Sequence, residues 1–556
     1  MARGSVYRDY SPSGRRRWRR SRIAVTAVVA LAAVAGIGHW AYSTLVVHAE
    51  DPQVRAATAR LQGFLDAWET GAARQAGSYT GTPAYAESLI TSVMTNLKPS
   101  KAEFTARKGR KQGSREVRIP FTVAMTIPGA GDYTWESKAR LLLKRGEEWQ
   151  VEFTTPLIHP RLAAGQTLAL QTQARAAVLD TRGDTLRAPS IVGLVDPRSG
   201  RGVSGLEARY DRQLTGGAAG MKSVVIVDRA SGRAVKRLGN GNGNGNGGGA
   251  KGGVPVRTTI DPRIQEAAAE ALDGVRKNAA IVAIDPATGR ILAAANRPGG
   301  MNRALEGRYP PGSTFKVVTA AALLKAGMSP ADPVDCPVFA HVNGQRFENH
   351  DQFSMPGGAT FADAFARSCN TFFVNARTKL EKASLHDTAQ AFGIGATWDV
   401  GVATYDGSVP IASSDNDKAA ATIGQARVQA SPLVMASIAA TVKDGTFRQP
   451  VLVPAAVKKP HHATERLGPA VLSALRTMMR ATVTEGTARV LGDVPGEAYA
   501  KTGTAEYGDQ TPPHTHAWMI GYQGGRNLAW AVLVEDGGSG GADAGPIAAR
   551  FLKAVG

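Results

Sequence analysis

The chain has 556 residues, 43% of them hydrophobic and 20% charged, which excludes both a disordered chain and a single small domain. The net charge is +20, yet no module with base-reading or aromatic residues concentrates it. Nucleic-acid binding is therefore set aside in favour of a basic exterior facing an acidic cell envelope. Two cysteines, Cys336 and Cys369, exclude a disulfide framework, and spacing alone does not establish a bridge between them. Cys369 reads as a small buried thiol.

The first segment, 1–22, is a basic arm carrying eight arginines against a single acid, Asp9. Residues 23–47 follow as a mostly apolar run with no Asp, Glu, Lys or Arg. That is long enough to cross a bilayer, and the arginines before it place the N-terminus in the cytoplasm. The competing reading, a cleaved signal peptide, calls for a shorter apolar region. The expected product is a single-pass membrane anchor with everything after it outside the cytoplasm.

Residues 51–160 predict a small α+β domain. Leu61, Phe64, Leu65 and Trp68 make the stripe of an amphipathic helix. From Val117 to Ile127, and again from Tyr133 to Leu143, apolar residues alternate as on a half-buried strand. No cluster of acid, base or nucleophile stands there, so a spacer is expected. Residues 161–238 hold short strands and a helix start at Ser204, and are expected to form one further domain. Residues 239–253 are almost all Gly and Asn and read as a linker.

Residues 254–556 predict one dense domain: a helix opened by Asp261-Pro262, strands around Ile281–Ile284 and Ile291–Ala294, an Ala-rich helical section, strands around Trp518 and Leu528–Val534, and a closing helix. Strands at both ends with helices between them imply one sheet flanked by helices, with a helical lobe beside it.

Within this last domain lies Tyr309-Pro310-Pro311-Gly312-Ser313-Thr314-Phe315-Lys316. On a helix Ser313 and Lys316 share a face, as a serine nucleophile and a lysine base require. Taken alone, the pair reads first as a helix cap at Ser313 and a solvated lysine at Lys316. Ser368-Cys369-Asn370 and Lys501-Thr502-Gly503-Thr504 follow in order, completing S-x-x-K, S-x-N and K-T-G. The ordered set supplies a nucleophile, a base, a proton relay and an anchor for a substrate carboxylate. Two decoys separate on chemistry. Ser414-Asp415-Asn416 reads as a loop, and Lys443-Asp444-Gly445 as the end of a helix with Gly445 at its C-terminal cap. His514 and His516 have no third ligand nearby, so no metal is called for, and the chemistry needs no cofactor.

These motifs resemble the penicillin-binding proteins, as do Ile423-Gly424-Gln425, Ser431-Pro432-Leu433 and His516-Ala517-Trp518. Arg182-Gly183 and Ser204-Gly205-Leu206-Glu207 resemble the pedestal, or dimerisation domain, of the class B, monofunctional transpeptidases. Residues 51–160 resemble the NTF2-like domain carried by some class B members.

The resemblance implies an α+β multidomain chain: a transmembrane helix, an NTF2-like cone, an elongated pedestal and a β-lactamase-like transpeptidase domain. It implies a peptidoglycan D,D-transpeptidase acting on stem peptides ending in D-Ala-D-Ala and acylated by β-lactams, with a membrane glycan polymerase as partner. Ser313 would be the nucleophile, Lys316 its base, Ser368 the proton relay with Lys501 behind it, and Asn370 a holder of substrate amide and of Lys316. Thr502, Gly503 and Thr504 would bind substrate. A D,D-carboxypeptidase, a serine β-lactamase and a β-lactam-binding sensor are the alternatives that share these motifs.

Overall fold

The structure, a computed structural model, describes residues 51–556 apart from 146–147, 173–174, 218–221, 240–252 and 511. The basic arm, the expected transmembrane span at 23–47 and nearly all of the Gly/Asn linker lie outside the described residues. Among the described residues no helix is long and apolar enough to cross a membrane. Two units form: the described residues of 1–171 with 222–249, and those of 172–221 with 250–556.

In the first unit, helix Pro52–Glu69 begins at Asp51, whose carboxylate accepts the Gln53 N–H at 2.8 Å. Its predicted stripe of Leu61, Phe64, Leu65 and Trp68 is wholly buried. Strands Lys101–Ala106, Glu116–Ile127, Gly131–Leu143 and Trp149–Val151 pair antiparallel in that order. Val117, Ile119, Phe121, Val123 and Met125 all enter the core, as strict alternation requires. A second sheet runs Gln166–Thr172, Lys222–Asp228, Ala234–Gly239.

That second sheet corrects the expectation of one domain over 161–238. Its strands 166–172 and 222–239 go with the first unit, whereas the segment between them goes with the second. Strand pairing across a long insertion is non-local, and local periodicity carries no sign of it.

The second unit is built on a five-stranded antiparallel sheet. Its order is Ile291–Arg297, Ala279–Ile284, Ala529–Val534, His514–Gln523, Ala498–Tyr507. Alternate side chains fall into two cores. Ile281, Ala283, Met519 and Trp530 pack with Ala268 and Phe551 of the terminal helices Pro262–Ala271 and Gly545–Val555. Val282, Ile520 and Leu533 pack with the helical section, including Ile438 and Val442 of helix Pro432–Asp444. Burial on both faces explains why these strands read as continuous apolar runs.

The decoy motifs resolve differently. Gly445 ends its helix in the left-handed conformation, φ 91°, as expected. Ser414 does not sit in a loop: its hydroxyl caps helix Asp415–Thr422 by accepting the Asp417 N–H at 3.1 Å.

The cysteine reading is also corrected. Cys336 and Cys369 are joined in a disulfide, with their Cα atoms 6.2 Å apart across 33 residues of sequence. Cys369 is therefore not the free thiol expected: the fold brings the start of helix Asn370–Ala376 to the Cys336 loop ahead of strand Phe339–Val342, a contact that spacing does not encode. Closing a loop of that length removes chain entropy from the unfolded state worth about 3–4 kcal/mol. Thermal unfolding of the full chain in a strong phosphine reductant is expected to show a lower midpoint than the oxidised chain. An unchanged midpoint with both thiols titratable would contradict this role.

Candidate active site

Ser313 occupies a 3-10 turn, Gly312–Phe315, that runs directly into helix Lys316–Lys325. The turn is pinned from several sides. Tyr309 donates its hydroxyl to Glu535 at 2.5 Å, and Arg303 pairs with the same carboxylate oxygen at 2.7 Å. Trp518 donates its indole N–H to the Pro310 carbonyl at 3.1 Å. Gly312 has φ 53°, and a Cβ there would lie 2.4 Å from the Thr504 carbonyl. A Cβ on Gly424 would lie 2.1 Å from the Gly312 carbonyl, and one on Gly503 2.8 Å from the Thr314 methyl. Gly312 and Gly503 thus let the nucleophile turn lie directly against strand Ala498–Tyr507, and Gly424 lets the 423–425 segment close on its other side.

That strand ends the sheet, so its outer edge faces the cleft. Near its end the Gln425 side-chain amide pairs with the Glu506 backbone, at 2.9 Å to the N–H and 3.2 Å to the carbonyl. Residues 502–504 are left lining a cleft of about 1560 Å³ together with Ser313, Ser368 and Asn370. An extended peptide entering there can add to the sheet as a further strand.

All eight sequence-predicted residues meet at this cleft or directly behind it. Lys316 is fully buried, and its Nζ donates to the Asn370 Oδ1 at 2.6 Å, to the Ser368 carbonyl at 2.8 Å and to the Ser368 Oγ at 3.4 Å. Lys501, also fully buried, donates to the same Ser368 Oγ at 2.8 Å and to the Thr502 carbonyl at 2.9 Å. Ser313 reaches the Asn370 Oδ1 at 3.4 Å. Ser368 sits at φ 60°, a left-handed conformation costly for a residue with a Cβ, between helices Phe361–Ala366 and Asn370–Ala376.

Burial disfavours the charged form of both lysines. It pulls Lys316 well below the ordinary lysine range, and the neighbouring Lys501 charge pulls it further. Burial alone brings Lys501 down to about 7. Lys316 is therefore available as a neutral base, while Lys501 titrates near neutrality.

Several contributors were not legible in the motifs. Asn349, 1% exposed, accepts the Asn370 N–H at 2.7 Å and the Thr371 N–H at 3.1 Å, and so fixes the start of the Asn370 helix. Thr487 hydrogen-bonds the Thr502 hydroxyl at 2.5 Å. The disulfide holds Cys369, the middle residue of the second motif. Only the His-Asn-polar composition around Asn349 hints at a site, and composition does not say which residues meet.

A buried serine–lysine pair, a second serine bridged to a second lysine, and an open sheet edge are the parts a serine acyltransferase needs. Residues 279–553 match the penicillin-binding protein transpeptidase domain, and residues 56–166 match the NTF2-like N-terminal transpeptidase domain. The chain is 34% identical over 370 residues to the peptidoglycan D,D-transpeptidase PbpA of Mycolicibacterium smegmatis, covering 54% of this chain and 72% of that protein. It is 32% identical over 367 residues to PbpA of Mycobacterium tuberculosis, with the same coverage. The solved ceftriaxone acyl-enzyme complex of M. tuberculosis penicillin-binding protein A superposes with a TM-score of 0.57 at 26% identity, over 69% of this chain and 98% of that one. This chain belongs to the penicillin-binding protein transpeptidases, as a class B member with an N-terminal NTF2-like domain.

The Lys501 charge lowers the Lys316 pKa, so removing it raises that pKa and leaves more of the base protonated at a given pH. In Lys501→Met the acid limb of residual penicillin acylation, followed by mass spectrometry, is expected to move to higher pH. An unmoved limb would show that Lys316 is not the base or that the two lysines are uncoupled.

Proposed function

We propose that this chain is a peptidoglycan D,D-transpeptidase that cross-links stem peptides through an acyl-enzyme at Ser313. The observation that carries the assignment is the continuous set of hydrogen bonds from Ser313 through Asn370 and Lys316 to Ser368 and Lys501, facing an open strand edge.

The stem peptide lies along residues 502–504, and the Thr502 and Thr504 hydroxyls hold its terminal carboxylate. Neutral Lys316 takes the Ser313 proton as Oγ attacks the carbonyl between the two terminal D-alanines. The backbone N–H groups of Ser313 and Thr504 receive the oxyanion that forms. As the amide C–N bond breaks, Ser368 passes a proton to the departing D-alanine, with Lys501 behind it to supply the charge. Asn370 holds the donor amide and keeps Lys316 in place. An amine of a second stem then attacks the ester, a new amide forms, and the proton returns to Ser313. A β-lactam presents a ring-strained amide carbonyl in the place of the stem amide, and the reaction stops at the ester.

The arginine-rich arm and the apolar run at 23–47 support a single-pass anchor with a cytoplasmic N-terminus and an extracytoplasmic catalytic domain. Because class B transpeptidases, which this chain resembles, generally work with a glycan polymerase, we infer a membrane glycan polymerase as its working partner.

The test uses the full chain in isolated membranes with a pentapeptide stem and a labelled D-amino acid as acceptor. The expected result is a label-bearing exchange product that disappears in Ser313→Ala. Shortened stem without incorporated label would identify a carboxypeptidase, and recovery of the chain in the detergent-free supernatant would contradict the anchor.

A further inference from the structure

Thr487 belongs to none of the three motifs, yet it lines the cleft beside Thr502. It lies just beyond helix Pro469–Thr484, and its backbone N–H donates to the Ala366 carbonyl at 3.2 Å. That bond ties it to the segment leading to Ser368. Its hydroxyl is 2.5 Å from the Thr502 hydroxyl and 3.5 Å from the same Ala366 carbonyl.

Two hydroxyls this close share one proton between them, and the arrangement has two states. In one, Thr502 donates to Thr487, and Thr487 donates over the long contact to Ala366. No hydroxyl proton of the pair then faces the cleft. In the other, Thr487 donates to Thr502, and the Thr502 proton turns outward. The second state gives up only the 3.5 Å contact, because the Ala366 carbonyl keeps its bond from the Thr487 N–H. An anion in the cleft selects this second state, since a hydroxyl donating to a carboxylate is stronger than one donating over that distance to a neutral carbonyl.

We propose that Thr487 is a positioning residue for the substrate carboxylate: it turns the Thr502 hydroxyl into a donor aimed at the carboxylate of a stem peptide or β-lactam. The inference rests on the reading above that Thr502 holds that carboxylate. Thr487 polarises and orients Thr502 from behind without touching the reacting atoms. Its contribution therefore appears only with a ligand that carries the negative charge.

The test compares second-order acylation of the full chain by benzylpenicillin and by its methyl ester, in Thr487→Val, Thr487→Ser and Thr502→Val. Losing one charge-assisted hydrogen bond is worth on the order of tenfold in rate or more. Thr487→Val is expected to slow benzylpenicillin roughly tenfold while leaving the ester nearly unchanged, and Thr487→Ser to restore the free acid. Acylation by the ester doubles as the check that the variant is folded. Equal slowing of both ligands, or failure of serine to rescue, would reduce Thr487 to a packing residue and overturn the proposal. Should Thr502→Val show acid-selective loss while Thr487→Val does not, Thr487 alone is misassigned. Should neither show it, the carboxylate anchor itself is wrong.

Discussion

Everything at this site depends on burying two lysines around one serine hydroxyl. Each ammonium removed from water is costly unless it is neutralised or richly hydrogen-bonded. The structure does both. Ser368 accepts from Lys316 on one side and Lys501 on the other. Asn370 and the backbone carbonyls of Ser368 and Thr502 take the remaining N–H bonds. The same desolvation that would destabilise a structural lysine favours the neutral form of Lys316, the form the proposed base needs. Fold stability and catalysis are set by one constraint acting in opposite directions.

Close backbone approach is what allows that burial. Gly312, Gly424 and Gly503 each stand where a methyl group would meet a neighbour at 2.8 Å or less. The nucleophile turn, the edge strand and the Ile423–Gln425 segment therefore meet without side chains between them. The edge strand gains a second use from its position at the end of the sheet, since a substrate backbone can pair there. On the opposite wall, Asn349 and the Cys336–Cys369 bond set the start of the helix that carries Asn370. These contacts surround the reacting groups and leave the cleft itself open.

Much of this was legible in the sequence because its signals are local. Ser313 and Lys316 sit one helical turn apart. The apolar alternation at 117–127 gave a strand, and Asp261-Pro262 gave a helix start whose cap bond is present at 2.9 Å. The ordering of Ser368, Asn370 and Lys501 behind Ser313 carried the site even though the residues are far apart in the chain. What escaped was non-local or ambiguous. A serine followed by Asp and Asn is as good a helix cap as a turn, and Ser414 turned out to be the cap. The pairing of 166–172 with 222–228 spans an insertion, and the disulfide depends on where two distant segments pack. Thr487 has no motif of its own, and only its distance to Thr502 reveals it.

The central claim is that Ser313 alone carries the acyl group. Treating the full chain with benzylpenicillin, then digesting it and mapping the modified peptide by mass spectrometry, tests this directly. The account requires a single penicilloyl ester on Ser313, absent from Ser313→Ala. An adduct on any other residue, or one that persists in Ser313→Ala, would contradict it.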